Sequence, residues 1–131
     1  MPSFTIDHIH LVSGDPTATA KWYETVFGAK VIPTAKFPDG RDRAEVSMGG
    51  VRLLIRSPRD EKQTGKDTPK SRRGLEHFGL RVDNMDAAVA HLKSKGVEVF
   101  DGPKLSMPSG LTVAFVNAPD NVLIELAQFP S

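Results

Sequence analysis

Hydrophobic and polar residues alternate over residues 4–12, with Ile9 and Leu11 on one side and His8, His10 and Val12 on the other, which predicts a strand. Asp15 suits a helix N-cap and Pro16 the first helical position. The helix they open is predicted to bury Trp22, Tyr23, Val26 and Phe27 along one stripe and to close at Gly28. Strands are predicted at about 29–37, 43–48 and 51–57, turned by Pro38-Asp39-Gly40 and Gly49-Gly50. The pattern then starts again. A strand at 75–82 leads into a helix at 85–95 with an apolar stripe of Met85, Ala88, Val89 and Leu92. Strands near 97–105, 111–117 and 121–128 follow, turned by Pro108-Ser109-Gly110 and Pro119-Asp120-Asn121.

Two βαβββ modules are therefore expected, at about 4–57 and 74–129. His77 follows His8, and Asn84 follows Asp15, at one offset of 69 residues (77 − 8 and 84 − 15). Repetition on this scale marks two copies of one supersecondary unit. Residues 58–73 between them are charged and broken by Gly and Pro, which predicts a linker. Its basic excess could help hold an anionic group, although a solvated connector is the simpler reading. At 131 residues the two modules are expected to share a single domain.

Composition narrows the chemistry. With no Cys, disulfides, thiolate-bound zinc and thiol nucleophiles are excluded, so any metal must sit on His and carboxylate. A net charge of +1 with one Trp and one Tyr gives little reason to expect a nucleic-acid partner. No apolar run approaches the roughly 20 residues of a membrane span, and no signal-like segment opens the chain, so no membrane partner and a cytoplasmic location are expected.

Side chains two apart on a strand share a face. His8 and His10 should lie opposite Ile9 and Leu11. His77 and Arg81 should lie opposite Phe78 and Leu80, and Glu125 opposite Ile124 and Leu126. All three of His8, His77 and Glu125 are thus expected on the sheet face that the helices leave open. A carboxylate between Ile124 and Leu126 needs a cation partner, either a divalent ion or an Arg. Two imidazoles and one carboxylate leave several coordination positions open, which suits catalysis more than structure.

Ile6-Asp7-His8-Ile9-His10-Leu11, Trp22 through Gly28, Leu75 through Val82 and Ala118 through Leu126 together resemble the vicinal oxygen chelate superfamily, over essentially the whole chain. That superfamily includes glyoxalase I, methylmalonyl-CoA epimerase, extradiol dioxygenases, fosfomycin-resistance transferases and bleomycin-binding proteins. The resemblance implies an α+β fold in which two βαβββ modules form a cupped mixed sheet around a divalent metal. The family's metal ligands fall on His8, His77 and Glu125, and the ion would be iron, manganese, zinc or nickel. Glyoxalases and epimerases add a fourth ligand from the last strand of the first module. The repeat puts Leu54 at that position, and Leu cannot bind a metal. A three-ligand site, like that of the dioxygenases and fosfomycin-resistance enzymes, is expected instead.

Further candidates surround this set. Glu45 is a possible general base, against the simpler reading of an exposed edge carboxylate, and His10 a possible acid, base or pocket-lining residue. Arg52 and Arg81 could hold a substrate carboxylate or phosphate, with Leu54 beside them. His91 flanks the second helix stripe and is expected at the surface. The leading expectation is a metal-dependent enzyme whose small-molecule substrate chelates the ion through vicinal oxygens, of glyoxalase, epimerase, transferase or dioxygenase type. The alternative is a non-enzymatic drug- or metabolite-binding protein of the bleomycin-resistance kind. Ring-cleaving enzymes are typically longer, and the segment Leu105 through Thr112 lacks the phosphonate-binding pattern expected for fosfomycin resistance. A homodimer is expected, because one module leaves strand edges that need partners.

Overall fold

The computed structural model describes residues 1–3, 5–58 and 74–131. The linker read at 58–73 lies almost wholly outside the described residues. The chain divides into two units, Met1–Gly65 and Lys66–Ser131. The first runs β1 (His8–Val12), α1 (Pro16–Phe27), β2 (Lys30–Ile32), β3 (Arg43–Met48) and β4 (Val51–Arg56). The second runs β5 (His77–Arg81), α2 (Met85–Ser94), β6 (Val99–Ser106), β7 (Leu111–Ala118) and β8 (Val122–Gln128). Each is a βαβββ module with a four-stranded mixed sheet. The strand orders are β1-β4-β3-β2 and β5-β8-β7-β6. In both, the first strand runs parallel to the last and the other pairs are antiparallel.

The helices form where the caps dictate. The Asp15 carboxylate accepts from the Ala18 N–H at 3.0 Å, and the Asn84 side chain accepts from the Ala87 N–H at 2.9 Å. Each satisfies a donor that the first helical turn leaves unpaired. Gly28, at φ 71°, ends α1 in the left-handed region. The α1 stripe is shifted from the expected one: Pro16, Thr19, Ala20, Tyr23 and Val26 are buried, while Trp22 and Phe27 are half-covered and pack edge to face at 5.4 Å. Trp22 and Phe27 therefore lie at the margin of the contact. In α2 the buried residues are Met85 and Leu92, and His91 is exposed as expected.

Each helix covers one face of its own sheet. Beneath α1 lie Ala44, Val46, Leu53 and Ile55, and beneath α2 lie Ala114, Val116, Ile124 and Leu126, all buried. Full burial of a Leu or Ile contributes about 1.5–3 kcal/mol, so each apolar layer stabilises its own module.

Strand lengths depart from expectation where loops take over. β2 is only three residues long, because after Ile32 the chain leaves the sheet for a loop through Pro33 and Pro38. β6 is irregular around Asp101–Lys104. A Cβ added at Gly102 would lie 2.5 Å from the Val113 carbonyl oxygen, so the neighbouring strand approaches there too closely for any other residue. The Met48↔Val51 pair is closed by Gly49 and Gly50 at φ 58° and 83°, a two-residue hairpin of the kind that matches strand twist. Among the described residues, no helix is long and apolar enough to cross a membrane.

Replacing Asp15 or Asn84 by Ala is expected to destabilise the protein by about 1 kcal/mol each, through loss of one cap bond. Urea unfolding followed by circular dichroism measures this, and Asp86→Ala, which touches neither cap bond, serves as the control.

Candidate metal-binding face

Sheet register decides which side chains stand together. In the first unit β1 pairs with β4 as His8↔Arg52 and His10↔Leu54, while β3 pairs with β4 as Glu45↔Leu54 and Ser47↔Arg52. Since Leu53 and Ile55 are 1% exposed beneath α1, the alternate residues Arg52 and Leu54 lie on the other face with His8, His10 and Glu45. In the second unit His77↔Leu123 and Gly79↔Glu125 pair across β5 and β8, and Phe115↔Glu125 across β7 and β8. His77, Gly79, Arg81, Glu125 and Phe115 therefore share the face opposite α2. Both sets lie, within their units, on the face expected for them.

The second unit brings two of its expected ligands together. His77 Nε2 lies 2.9 Å from Glu125 Oε2. Lone pairs on both atoms would repel at that distance, so a proton or a cation belongs between them. A hydrogen bond with the proton on Nε2 accounts for that distance, and imidazole and carboxylate are also donor types that a divalent ion accepts. The ring of His77 is braced twice more: Nδ1 lies 3.0 Å from Glu76 Oε1, and Phe115 packs edge-on at 5.7 Å. Glu125 pairs with His77 and not with Arg81, whose guanidinium lies 3.9 Å over the Phe129 ring.

In the first unit His8 holds the position of His77, and its Nδ1 lies 2.8 Å from Asp7 Oδ2. The guanidinium of Arg52 donates from Nε and Nη2 to the two oxygens of Glu45 at 2.9 and 3.1 Å, and from Nη1 to Asp7 at 3.3 Å. A continuous chain Glu45–Arg52–Asp7–His8 results. The hydrogen bond from His8, helped by the nearby Arg52 charge, holds the Asp7 carboxyl below its usual range against an opposing desolvation. An ionised carboxylate can only accept, so in this contact Nδ1 of His8 donates to Asp7. Glu45 is held below the carboxylate range chiefly by its hydrogen bonds to Arg52. Raising the Arg52 pKa is the reciprocal effect, from the hydrogen bonds and charge of Glu45.

The simpler reading of Glu45 as an exposed edge carboxylate is corrected here. β3 lies inside the sheet, between β4 and β2, and the Glu45 side chain is only 14% exposed beneath its Arg52 clamp. Leu54, its cross-strand partner, is half-buried. Among the described residues no group of three or more His, Asp or Glu side chains gathers where it could hold a metal ion. A separate depression of about 590 Å³ in the second unit is bordered by Arg81, Asn84, Ala88 and His91, and includes neither His77 nor Glu125.

Sequence reasoning missed Asp7 and Glu76. The signal was present in the repeat, since each aligned histidine is preceded by an acid: Asp7-His8 and Glu76-His77. It missed Phe115 because its contact with His77 depends on the β7–β8 register.

With this geometry in view, comparison with known proteins places the chain. Residues 5–126 match the family model of the Glyoxalase/Bleomycin resistance protein/Dioxygenase superfamily. The chain belongs to that superfamily. Human mitochondrial methylmalonyl-CoA epimerase is 27% identical over 128 residues, covering 94% of this chain and 73% of that protein. Lactoylglutathione lyase of Schizosaccharomyces pombe is 28% identical over 146 residues, covering 96% of this chain but 48% of that longer protein. The crystal structure of a glyoxalase family protein from Enterococcus faecalis superposes with a TM-score of 0.78 at 20% identity, covering 94% of this chain and 96% of that one, which shows the shared fold. The α+β fold of two βαβββ modules is the superfamily's fold.

Two outcomes are expected from these contacts. Asp7→Ala should release the His8 ring, so that its ¹⁵N shifts move toward those of a tautomer mixture, whereas Glu76→Ala should leave His77 with its proton on Nε2 toward Glu125. Arg52→Met should return the Glu45 carboxyl toward its usual value in a ¹³C-detected pH titration. Because the folded-state pKa of Glu45 is depressed, the clamp's stabilisation is present above the unfolded carboxylate pKa and is lost as pH falls through the folded value. Wild type and Arg52→Met should therefore differ in stability at neutral pH by more than they do in acid.

Proposed function

We propose that the chain is a metal-dependent enzyme that binds a small molecule through two neighbouring oxygens and carries out isomerase- or lyase-type proton transfer beside them. The observation that carries this reading is the His77–Glu125 pair, in contact at 2.9 Å on an open strand face with its imidazole braced by Glu76. His8, the equivalent histidine of the first unit, completes the proposed ligand set of His8, His77 and Glu125. Iron, manganese, zinc and nickel all accept such donors. A divalent ion held there supplies a Lewis acid that polarises the substrate oxygens. The names of the relatives, an epimerase and a lyase, support proton-transfer chemistry over ring cleavage.

The protein's own groups account for the rest of the proposed chemistry. Arg52 is the group for an anionic part of the substrate, and Glu45 the proton carrier. While clamped by Arg52, Glu45 is a weak base. A substrate carboxylate that draws Arg52 away would restore its basicity, so that binding and activation are coupled. His10 is a second candidate proton carrier, Arg81 a second anion-binding group, and Leu54 an apolar wall beside them. A second copy of the chain is proposed as partner.

Metal analysis of the purified protein, followed by titration of the metal-free form with Co²⁺, tests this reading. Wild type is expected to bind one ion per chain, and His77→Ala or Glu125→Ala to weaken binding by at least about tenfold. Leu54→Glu is expected to tighten binding and reduce turnover, because it adds a charged oxygen donor next to the ion. Binding of Co²⁺ unaffected by His77→Ala and Glu125→Ala would defeat the proposal. Wild-type protein that binds no metal would favour the ligand-sequestering reading.

A further inference from the structure

A glycine inside a regular strand needs a reason, because it costs backbone entropy and gives up the packing of a side chain. For Gly79 the backbone supplies none. It stands in the middle of β5, whose pairing with β8 runs without a shift from His77 to Arg81, so no bulge calls for it. Its φ lies outside the left-handed region, and a Cβ built there would lie 3.8 Å from the Glu125 carbonyl oxygen, an ordinary contact. The first unit carries His10 at the matching position, paired with Leu54 as Gly79 is with Glu125. This point of the sheet therefore accepts a large side chain. What glycine provides is bare, exposed backbone on the open face, between His77 and Arg81 and beside Glu125.

Arg81, two residues further along the same face, indicates what lies there. Its guanidinium stacks 3.9 Å over Phe129, and among the described residues that ring is its partner. Stacking occupies the flat side of the group and leaves its edge of N–H donors for a planar acceptor, which a carboxylate matches. Glu125 does not take that place, since it is engaged with His77. Resting on the reading of this face as the substrate side, we propose that Gly79 is a specificity-determining residue of the second unit. The body of the substrate lies on the Gly79 backbone, flanked by Phe115 across Glu125, and a carboxylate at its far end is held by Arg81. The substrate class is a small carboxylic acid, with its reacting oxygens at the His77–Glu125 end and its carboxylate roughly 7 Å further along β5. Any side chain at residue 79 would fill the space that such a body occupies.

Benzoate, a flat body with one carboxylate, serves as the probe, and benzamide as its neutral isostere. Each is titrated into the purified protein while backbone ¹H–¹⁵N signals are followed, for wild type, Gly79→Val and Arg81→Met. Wild type should bind benzoate with its largest shifts at Gly79 and the neighbouring residues of β5. Gly79→Val should weaken benzoate and benzamide alike by at least about tenfold while melting no lower than wild type, because Val suits a strand better than Gly. Arg81→Met should weaken benzoate by at least about tenfold and leave benzamide unchanged. A Gly79→Val protein that binds benzoate as wild type does overturns the proposal. So does one that melts lower, since the fold would then need the glycine. Wild type that binds Co²⁺ but not benzoate, or whose benzoate shifts fall away from β5, overturns it and leaves the metal reading standing. Benzoate binding over Gly79 in a protein that takes up no Co²⁺ supports this site and removes the metal reading alone.

Discussion

Strand register is the constraint from which the rest of the molecule follows. Side chains alternate with a period of two, so a slip of one residue in the β1–β4 or β5–β8 pairing would send every donor beneath a helix and every core residue to the open face. The apolar layers forbid that slip. Burying Ile124 and Leu126 fixes Glu125 on the other side, and burying Leu53 and Ile55 does the same for Arg52 and Leu54. The tight Gly49-Gly50 hairpin then sets which β3 residue faces which β4 residue, and so puts Glu45 within reach of Arg52. A polar arrangement on one face is thus held in place by apolar packing on the other.

Each histidine needs a second restraint, because a ring on a strand can still rotate about its side-chain bonds. Acids at the preceding positions supply it. Asp7 and Glu76 fix the Nδ1 side of His8 and His77. The units differ in what lies behind these acids. In the first, Arg52 ties Asp7 to Glu45 and stores a carboxylate in a weakly basic form. In the second, Leu123 replaces the guanidinium, and His77 is braced instead by Glu125 and the edge contact with Phe115.

Much of this was legible in the sequence because the repeat supplies an internal check. The caps at Asp15 and Asn84, the hairpin at Gly49-Gly50, and the faces of His8, His77 and Glu125 within their units follow from local rules that two modules obey twice. Cross-strand partnerships were less legible. Nothing in alternation alone tells Glu45 that its neighbour is Arg52, since that depends on hairpin register. Asp7 and Glu76 precede their strands, where alternation assigns no direction to a side chain. The half-covered positions of Trp22 and Phe27 reflect how α1 is rotated on its sheet, which a stripe of apolar residues defines only to within a neighbouring residue.

The internal repeat also separates fold from function without any other sequence. Equivalent positions beneath the helices match in kind: Leu53 with Ile124, Ile55 with Leu126, Val46 with Val116, and Ala44 with Ala114. Those pairs keep volume and apolarity, as packing demands. Equivalent positions on the open face do not match: Arg52 stands against Leu123, Leu54 against Glu125, His10 against Gly79, and Glu45 against Phe115. A face held only by packing would have no reason to vary so widely in charge while its reverse side stays constant. Within these register pairs, one open-face position carries the same polar side chain in both units, and it is the histidine of His8 and His77. Packing does not require an imidazole on an open strand face, so its presence twice, each time with an acid at Nδ1, is a feature that the proposed role of the two rings accounts for. The differences around it fit the proposed division of labour, with anion handling by Arg52 and Glu45 in one unit and a carboxylate donor in the other.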